Sequence, residues 1–222
     1  MTASIALSRI HFPVTTLGPG RRIGIWFQGC SIRCPGCISM DTWAPGRGIT
    51  TIDEIVSAIA QWIPTADGIT ISGGEPFDQP IALLEFLRRL RSLTEADVLV
   101  FTGHLWTKVR ETVEASPGLI DALVTGPFDV NQSQALALRG SDNQELHFLT
   151  ATGHERFASF QRPITDVERT LDVMFDDCGD VWFAGIPGRD DFRRLREMLE
   201  NAGARLSTSE DKRPSSGGMP AR

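Results

Sequence analysis

No stretch of this 222-residue chain approaches the run of about 20 apolar residues that a membrane helix requires. The amino terminus, MTASIALSRIHFPV, lacks a charged segment leading into a long apolar one, so a secretory signal is not expected. Nowhere do lysines and arginines form a run. The net charge is −6 and the pI is near 5.2. Nucleic acid and membrane surfaces are therefore not expected partners, and the cytoplasm is the expected compartment. A repeat of fixed period is also missing.

Cysteine is sparse and unevenly placed. Cys30, Cys34 and Cys37 fall within eight residues, while Cys178 stands alone. A disulfide framework would spread its cysteines to staple distant loops, and cytosolic thiols stay reduced. Three thiols this close point to a metal site instead. Cys178, in MFDDCGDVW, reads as a small core residue at the edge of a strand.

What the chain does have is an ordinary globular composition, with 41% apolar residues and 21 glycines. That supports a sizeable core and one domain over residues 1–206, since single cores stop growing near about 250 residues. The tail from Ser207, STSEDKRPSSGGMPAR, reads as disordered. Residues 1–12 are weakly patterned. Ile23 to Phe27 reads as a buried strand that runs into the cysteine loop.

Thr51-Ile-Asp-Glu54 is a capping-box pattern opening a helix with apolar positions Ile52, Ile55, Val56, Ile59 and Ile63, and Pro64 stops it. Strand Ile69–Ile71 then ends in Ser72-Gly73-Gly74-Glu75-Pro76, ahead of a helix bearing Ile81, Leu83, Leu84, Phe86, Leu87 and Leu90. Val98–Phe101 has the continuous apolar character of a strand buried on both faces. A helix over 105–115, strands at 122–124, 144–149 and 180–185, and a helix from Asp190/Asp191 complete the pattern. Such alternation implies βα units around a parallel sheet.

Sites in such sheets form at the carboxyl ends of strands. Five loops follow expected strands. They are the cysteine loop, Gly73-Gly74-Glu75, Thr102-Gly103-His104, Thr125-Gly126-Pro127 and Gly185-Ile186-Pro187-Gly188. All five are expected on one rim. Trp26, Phe27 and Trp182 read as core residues.

The spacing Cys30-x3-Cys34-x2-Cys37 lets three thiolates converge, with Pro35-Gly36 making the turn between the last two. Thiolates select zinc or iron–sulfur clusters. A structural zinc needs a fourth ligand, and none of His11, His104, His147 and His154 lies close in sequence. Three cysteines suit a [4Fe–4S] cube with one iron left open to a small molecule.

Cys30-Ser-Ile-Arg-Cys34-Pro-Gly-Cys37 after a strand, with Gly73-Gly74-Glu75-Pro76 after the next, resembles the radical S-adenosylmethionine superfamily. Gly18-Pro19-Gly20, Gln28-Gly29, Trp43, Thr102-Gly103, Gly126-Pro127-Phe128 and Arg139-Gly140-Ser141-Asp142-Asn143-Gln144 narrow the resemblance. Together they are similar to the activating enzymes of anaerobic (class III) ribonucleotide reductase and other glycyl radical enzymes. The likeness spans about residues 10–150 and leaves 151–206 as an extension. Ile38 and Ser39 depart from the family, which has an aromatic or polar residue and then Asn there.

The resemblance implies an α/β fold of radical S-adenosylmethionine type, a partial (β/α) barrel with a parallel sheet. It implies that Cys30, Cys34 and Cys37 bind the cluster and that Gly73, Gly74 and Glu75 hold the amino group of S-adenosylmethionine. Thr102, His104, Arg139, Ser141 and Asn143 become candidate cofactor contacts, the last three alternatively braces for a loop. The implied reaction is reductive cleavage of S-adenosylmethionine to a 5′-deoxyadenosyl radical, fed by a flavodoxin or ferredoxin. The leading expectation is an activase acting on a glycyl radical enzyme. A radical enzyme acting on a small molecule or peptide, resembling 7-carboxy-7-deazaguanine synthase, and a non-catalytic iron–sulfur or zinc module are the alternatives.

Replacing Cys30, Cys34 or Cys37 by Ala is expected to abolish cluster binding, and Cys178→Ala to leave it intact. Iron and sulfide content after anaerobic reconstitution checks this. Equal loss in all four variants would refute the assignment.

Overall fold

The computed structural model describes residues 3–175 and 181–203. Cys178 and the tail from Ser207 lie outside the described residues. The elements are β1 (Ser4–Val14), β2 (Arg22–Phe27), β3 (Ile49–Thr51), α1 (Ile52–Ile59), β4 (Gly68–Gly73), α2 (Pro80–Arg91) and β5 (Asp97–Phe101). They continue with α3 (Trp106–Glu114), β6 (Ala122–Thr125), β7 (Glu145–Phe148), α4 (Ala151–Phe157), β8 (Leu171–Phe175), β9 (Val181–Gly185) and α5 (Asp191–Asn201). Among the described residues no helix is long and apolar enough to cross a membrane. Two compact units are present, Met1–Pro187 and Gly188–Arg222. In the second, α5 buries none of its side chains fully, Phe192 and Leu195 included.

The main sheet has the order β3-β1-β2-β4-β5-β6-β7. Its centre, β2-β4-β5-β6, is parallel, while β1, β3 and β7 pair antiparallel at the flanks. The α/β expectation stands, but the sheet is mixed rather than parallel throughout, and it is not closed. The weak pattern of residues 1–12 conceals β1, an 11-residue strand. Its side chains beyond Leu7 are mostly half-buried on both faces, which blurs the alternation that marks a strand in sequence.

One sheet face packs on α1, α2 and α3 through Ile23, Ile25, Ile69, Ile71, Val98 and Val100, among others. The capping box forms as its sequence suggests, with Thr51 accepting from Glu54 N–H and the Glu54 carboxylate receiving Thr51 N–H. Ile63 falls in a 3-10 turn past the end of α1. In α2 the buried residues are Ala82, Leu83, Phe86, Leu87 and Leu90, and Ile81 faces solvent. The stripe therefore lies one position away from Ile81, on the face that the last three turns define.

The opposite face is covered by the segment beyond residue 150. Phe157 of α4 packs on Leu99, Val124 and Leu146, and the separate antiparallel hairpin β8–β9 brings Met174 and Ala184 against Val14 and Trp26. Thr15 and Thr16 donate to Asp172. Arg9 sits 4.3 Å from the Trp182 ring and 5.3 Å from the Trp26 ring, and pairs with Asp41.

A buried ionic group anchors the amino ends of the parallel strands. Arg22, with no solvent exposure, donates to Thr70 Oγ1 at 2.6 Å, to the Asp97 carboxylate and to the Pro19 carbonyl. Asp97 also accepts from Arg156 of α4 at 3.0 Å. Gly68 gives way to this guanidinium, since a Cβ there would lie 2.2 Å from Nη1. Removing one member leaves an uncompensated buried charge, which typically costs about 3–5 kcal/mol. Asp97→Ala should therefore lower the urea-unfolding free energy by roughly that amount, and a loss below about 1 kcal/mol, the range of an exposed pair, would refute the anchoring role.

Candidate metal centre

The cysteine loop leaves the carboxyl end of β2 and is closed at its base by backbone. Gly29 N–H donates to Thr42 O at 2.7 Å, Cys30 N–H to Trp43 O at 3.3 Å, and the Gln28 amide to Ala44 O at 2.7 Å. Arg33 and Gly36 take left-handed backbone angles that turn the chain between the cysteines. The Gly73-Gly74 turn lies directly against the loop, with Glu75 N–H donating to Gly29 O at 2.8 Å. A Cβ on Gly74 would sit 2.1 Å from that same oxygen, so only glycine permits the approach.

Cys30, Cys34 and Cys37 are unpaired by disulfides and half-buried. The Cys30 and Cys37 sulfurs are each met by a backbone N–H donor. Arg33 N–H points to Cys30 at 3.5 Å and Ser39 N–H to Cys37 at 3.4 Å. Burial pushes the Cys34 and Cys37 thiols up from the ordinary range, the donors partly offset it, and the neighbouring thiols push them further. A cationic cluster that displaces those protons fits such a donor set. Among the described residues, no group of three or more His, Cys, Asp or Glu is placed to hold a single metal ion. A cube makes no such demand, because each thiolate binds a different iron.

Glu75 joins the next loops. Its carboxylate is 1% exposed and accepts from Thr102 Oγ1 at 2.7 Å, Phe77 N–H at 2.9 Å and Gly103 N–H at 2.8 Å. Burial raises its pKa above the ordinary value of 4.5, and the donors pull it back. His104 is buried, with Nε2 3.4 Å from Asp78 Oδ1, and its carbonyl accepts Gly126 N–H. Asp78 in turn accepts both N–H and Oγ–H of Ser31 in the cysteine loop, at 2.7 and 2.9 Å. Asp78 was not among the sequence candidates. Its signal is an acid three residues beyond Glu75 in the same strand-end loop.

Most polar side-chain atoms of the Arg139–Gln144 segment bond to protein, while Arg139 Nε is buried without a partner among the described residues. Arg139, 2% exposed, donates to the Ala137 and Phe160 carbonyls and to Gln161 Oε1. Ser141 accepts from Asp129 N–H, Asn143 donates to Pro127 O, and Gln144 bonds Gly140, Ser141 and Gly126. These are the contacts of a brace on the Gly126–Phe128 loop. Gly185, which opens the fifth loop, does not join the rim. Strand β9 belongs to the hairpin, and its Gly185 end lies by Thr16, near the amino ends of the parallel strands. Four of the five loops share the carboxyl rim.

Residues 16–147 match the family described as a 4Fe-4S single cluster domain. The chain belongs to the radical S-adenosylmethionine activating enzymes. The anaerobic ribonucleoside-triphosphate reductase-activating protein of Escherichia coli K12 is 30% identical over 63% of this chain and 96% of that protein. Its counterpart in Vibrio cholerae is 28% identical with the same coverage. The pyruvate formate-lyase-activating enzyme of Listeria monocytogenes is 28% identical over 74% of this chain and 66% of its own length. The crystal structure of QueE from Escherichia coli superposes at a TM-score of 0.37 and 20% identity, over 45% of this chain and 52% of that one, too slight a likeness to speak for the fold. The cofactors of a radical S-adenosylmethionine activating enzyme are a [4Fe–4S] cluster and S-adenosylmethionine. All four rim loops and the 139–144 brace fall inside the matched stretch, whereas α4, β8, β9 and α5 lie beyond it.

Because the folded protein holds the Glu75 proton to higher pH than the unfolded chain does, ionising it costs stability. Stability should fall as pH rises from the ordinary carboxylate range through the raised pKa. The unfolding free energy of wild type minus that of Glu75→Gln, followed from about pH 4 to pH 8, should decline across that window. A flat difference would mean that Glu75 ionises as it does in water.

Proposed function

We propose that this protein installs a glycyl radical on a partner enzyme by removing a hydrogen atom from a backbone glycine, with anaerobic ribonucleotide reductase as the partner. The observation that carries the reading is the convergence of three half-buried free cysteines with the Gly-Gly-Glu turn, where Gly74 packs on Gly29 with no room for a Cβ. The reductase-activating relatives, matched over 96% of their length, favour that partner.

In this reading Cys30, Cys34 and Cys37 hold three irons of the cluster. Gly73, Gly74 and Glu75 present backbone to the cofactor's amino group. The Glu75 side chain, occupied by Thr102 and Gly103, shapes the turn rather than touching the ligand. Thr102 and His104 set the floor of the site, and Arg139, Ser141 and Asn143 brace the Gly126–Phe128 loop beside it. When bound, the cluster and S-adenosylmethionine together supply reductive cleavage to a 5′-deoxyadenosyl radical. The chain's part is to orient the ligand and exclude water from it. Electrons come from a small carrier such as flavodoxin or ferredoxin, in the cytoplasm, and the open sheet with its parallel centre serves as a partial barrel.

The test begins with anaerobic reconstitution, reduction and electron paramagnetic resonance with and without S-adenosylmethionine. A [4Fe–4S]⁺ signal that changes on adding it, with 5′-deoxyadenosine formed, is expected. Anaerobic ribonucleotide reductase added to the same tubes should then acquire a glycyl radical doublet. Deoxyadenosine with no doublet would redirect the reading to another substrate. A cluster indifferent to S-adenosylmethionine would overturn it.

A further inference from the structure

Arg9 of β1 stands opposite Trp26 of β2 in the antiparallel register, so the two side chains share a face of the sheet. The β8–β9 hairpin covers that face, with Met174 and Ala184 buried against Trp26 and Trp182 packed on the same cluster. The Arg9 guanidinium lies 4.3 Å from the centre of the Trp182 ring and 5.3 Å from that of Trp26. A planar cation rests on aromatic faces while its edge remains free to donate. That edge is used here, since Arg9 Nη1 donates to the Asp41 carboxylate. Arg9 Nε is buried with no acceptor among the described residues, and Asp41 is the charged partner that sets the direction of the group.

Asp41 belongs to the 3-10 turn Met40–Thr42, just past Cys37. This turn closes the cysteine loop at its base. Thr42 O accepts Gly29 N–H at 2.7 Å, and Trp43 O accepts Cys30 N–H at 3.3 Å. The Thr42 hydroxyl, fully buried, donates to Ser39 O at 2.6 Å. A side chain that holds Asp41 therefore holds the carbonyls to which Cys30 and its neighbour are fastened. The family match spans residues 16–147, which takes in Trp26 and Asp41 and leaves out Arg9 and Trp182. The tether on the turn thus comes from outside the matched stretch, on both sides of it. We propose that Arg9 is a positioning residue of the metal centre: seated on Trp182 and Trp26, it fixes Asp41 and ties the grip of the cysteine loop on its cluster to the extension. The proposal rests on the reading that Cys30, Cys34 and Cys37 hold that cluster.

The test reconstitutes wild type, Arg9→Met, Asp41→Asn and the double variant anaerobically with iron and sulfide. Loss of the cluster's visible absorbance to an excess of chelator is then followed in time. Each single variant is expected to release iron about tenfold faster, the usual scale for groups that orient metal ligands from behind. The double variant should be no faster than either single one, because both remove the same contact. Asp172→Ala is the control, since it severs the hairpin from Thr15 and Thr16 without touching Arg9, and it should change the rate far less. Trp182→Phe, which keeps a ring face under the guanidinium, should retain iron longer than Trp182→Leu. That comparison decides the matter even if Arg9→Met fails to fold. Wild-type rates in Arg9→Met and Asp41→Asn, equal rates in the two Trp182 variants, or an equal acceleration in Asp172→Ala would overturn the proposal and leave the cluster assignment standing. A wild-type protein that takes up no cluster would overturn both.

Discussion

Three of the rim loops meet at Glu75. Its backbone N–H holds the cysteine loop through Gly29 O, and its buried carboxylate holds Thr102 and Gly103 at the end of β5. Such a carboxylate is costly to bury, and it is tolerated because three donors converge on it. Asp78 repeats the arrangement one turn further on, linking Ser31 to His104. The site is therefore a set of loops fastened by two acids. Neither acid needs to touch the cofactor to determine where the cysteines stand.

The fourth loop is fastened differently. Gly126–Phe128 is held from behind by Gln144 and Asn143, and from the front its Phe128 ring lies beside the cysteine loop, 3.5 Å from where a Cβ on Gly36 would stand. The residues of the Arg139–Gln144 motif brace this loop from behind, so its place beside the cysteine loop is fixed by protein contacts.

At the other end of the sheet the fold solves a different problem. The face away from α1, α2 and α3 is covered by the extension, with Phe157 and the β8–β9 hairpin over Leu99, Val124 and Trp26. Arg22, Asp97 and Arg156 tie α4 to the first residues of β2 and β5. The extension is thus integrated into the first unit as far as Pro187 by both apolar and ionic contacts.

Much of this was legible in the chain itself. The buried strands announced themselves as continuous apolar runs, the capping box at Thr51 as a pattern of four residues, and the metal centre as three cysteines in eight. Such signals are local: each depends on neighbours in sequence, where spacing translates directly into geometry. The pairing of β1 and β7 as antiparallel flanks, the displacement of Gly185 to the far end of the sheet and the bonds of Glu75, Asp78 and Arg22 are not local. The side-chain bonds from these acids and Arg22 to Thr102, His104, Ser31 and Asp97 join residues 26 to 75 positions apart. Which polar groups become buried together depends on where strands and loops finally lie. The sequence by itself determined which thiols and which turn form the candidate site. Tertiary structure alone decided which acids and amides surround it, because a buried hydrogen-bond partner is chosen by proximity in space.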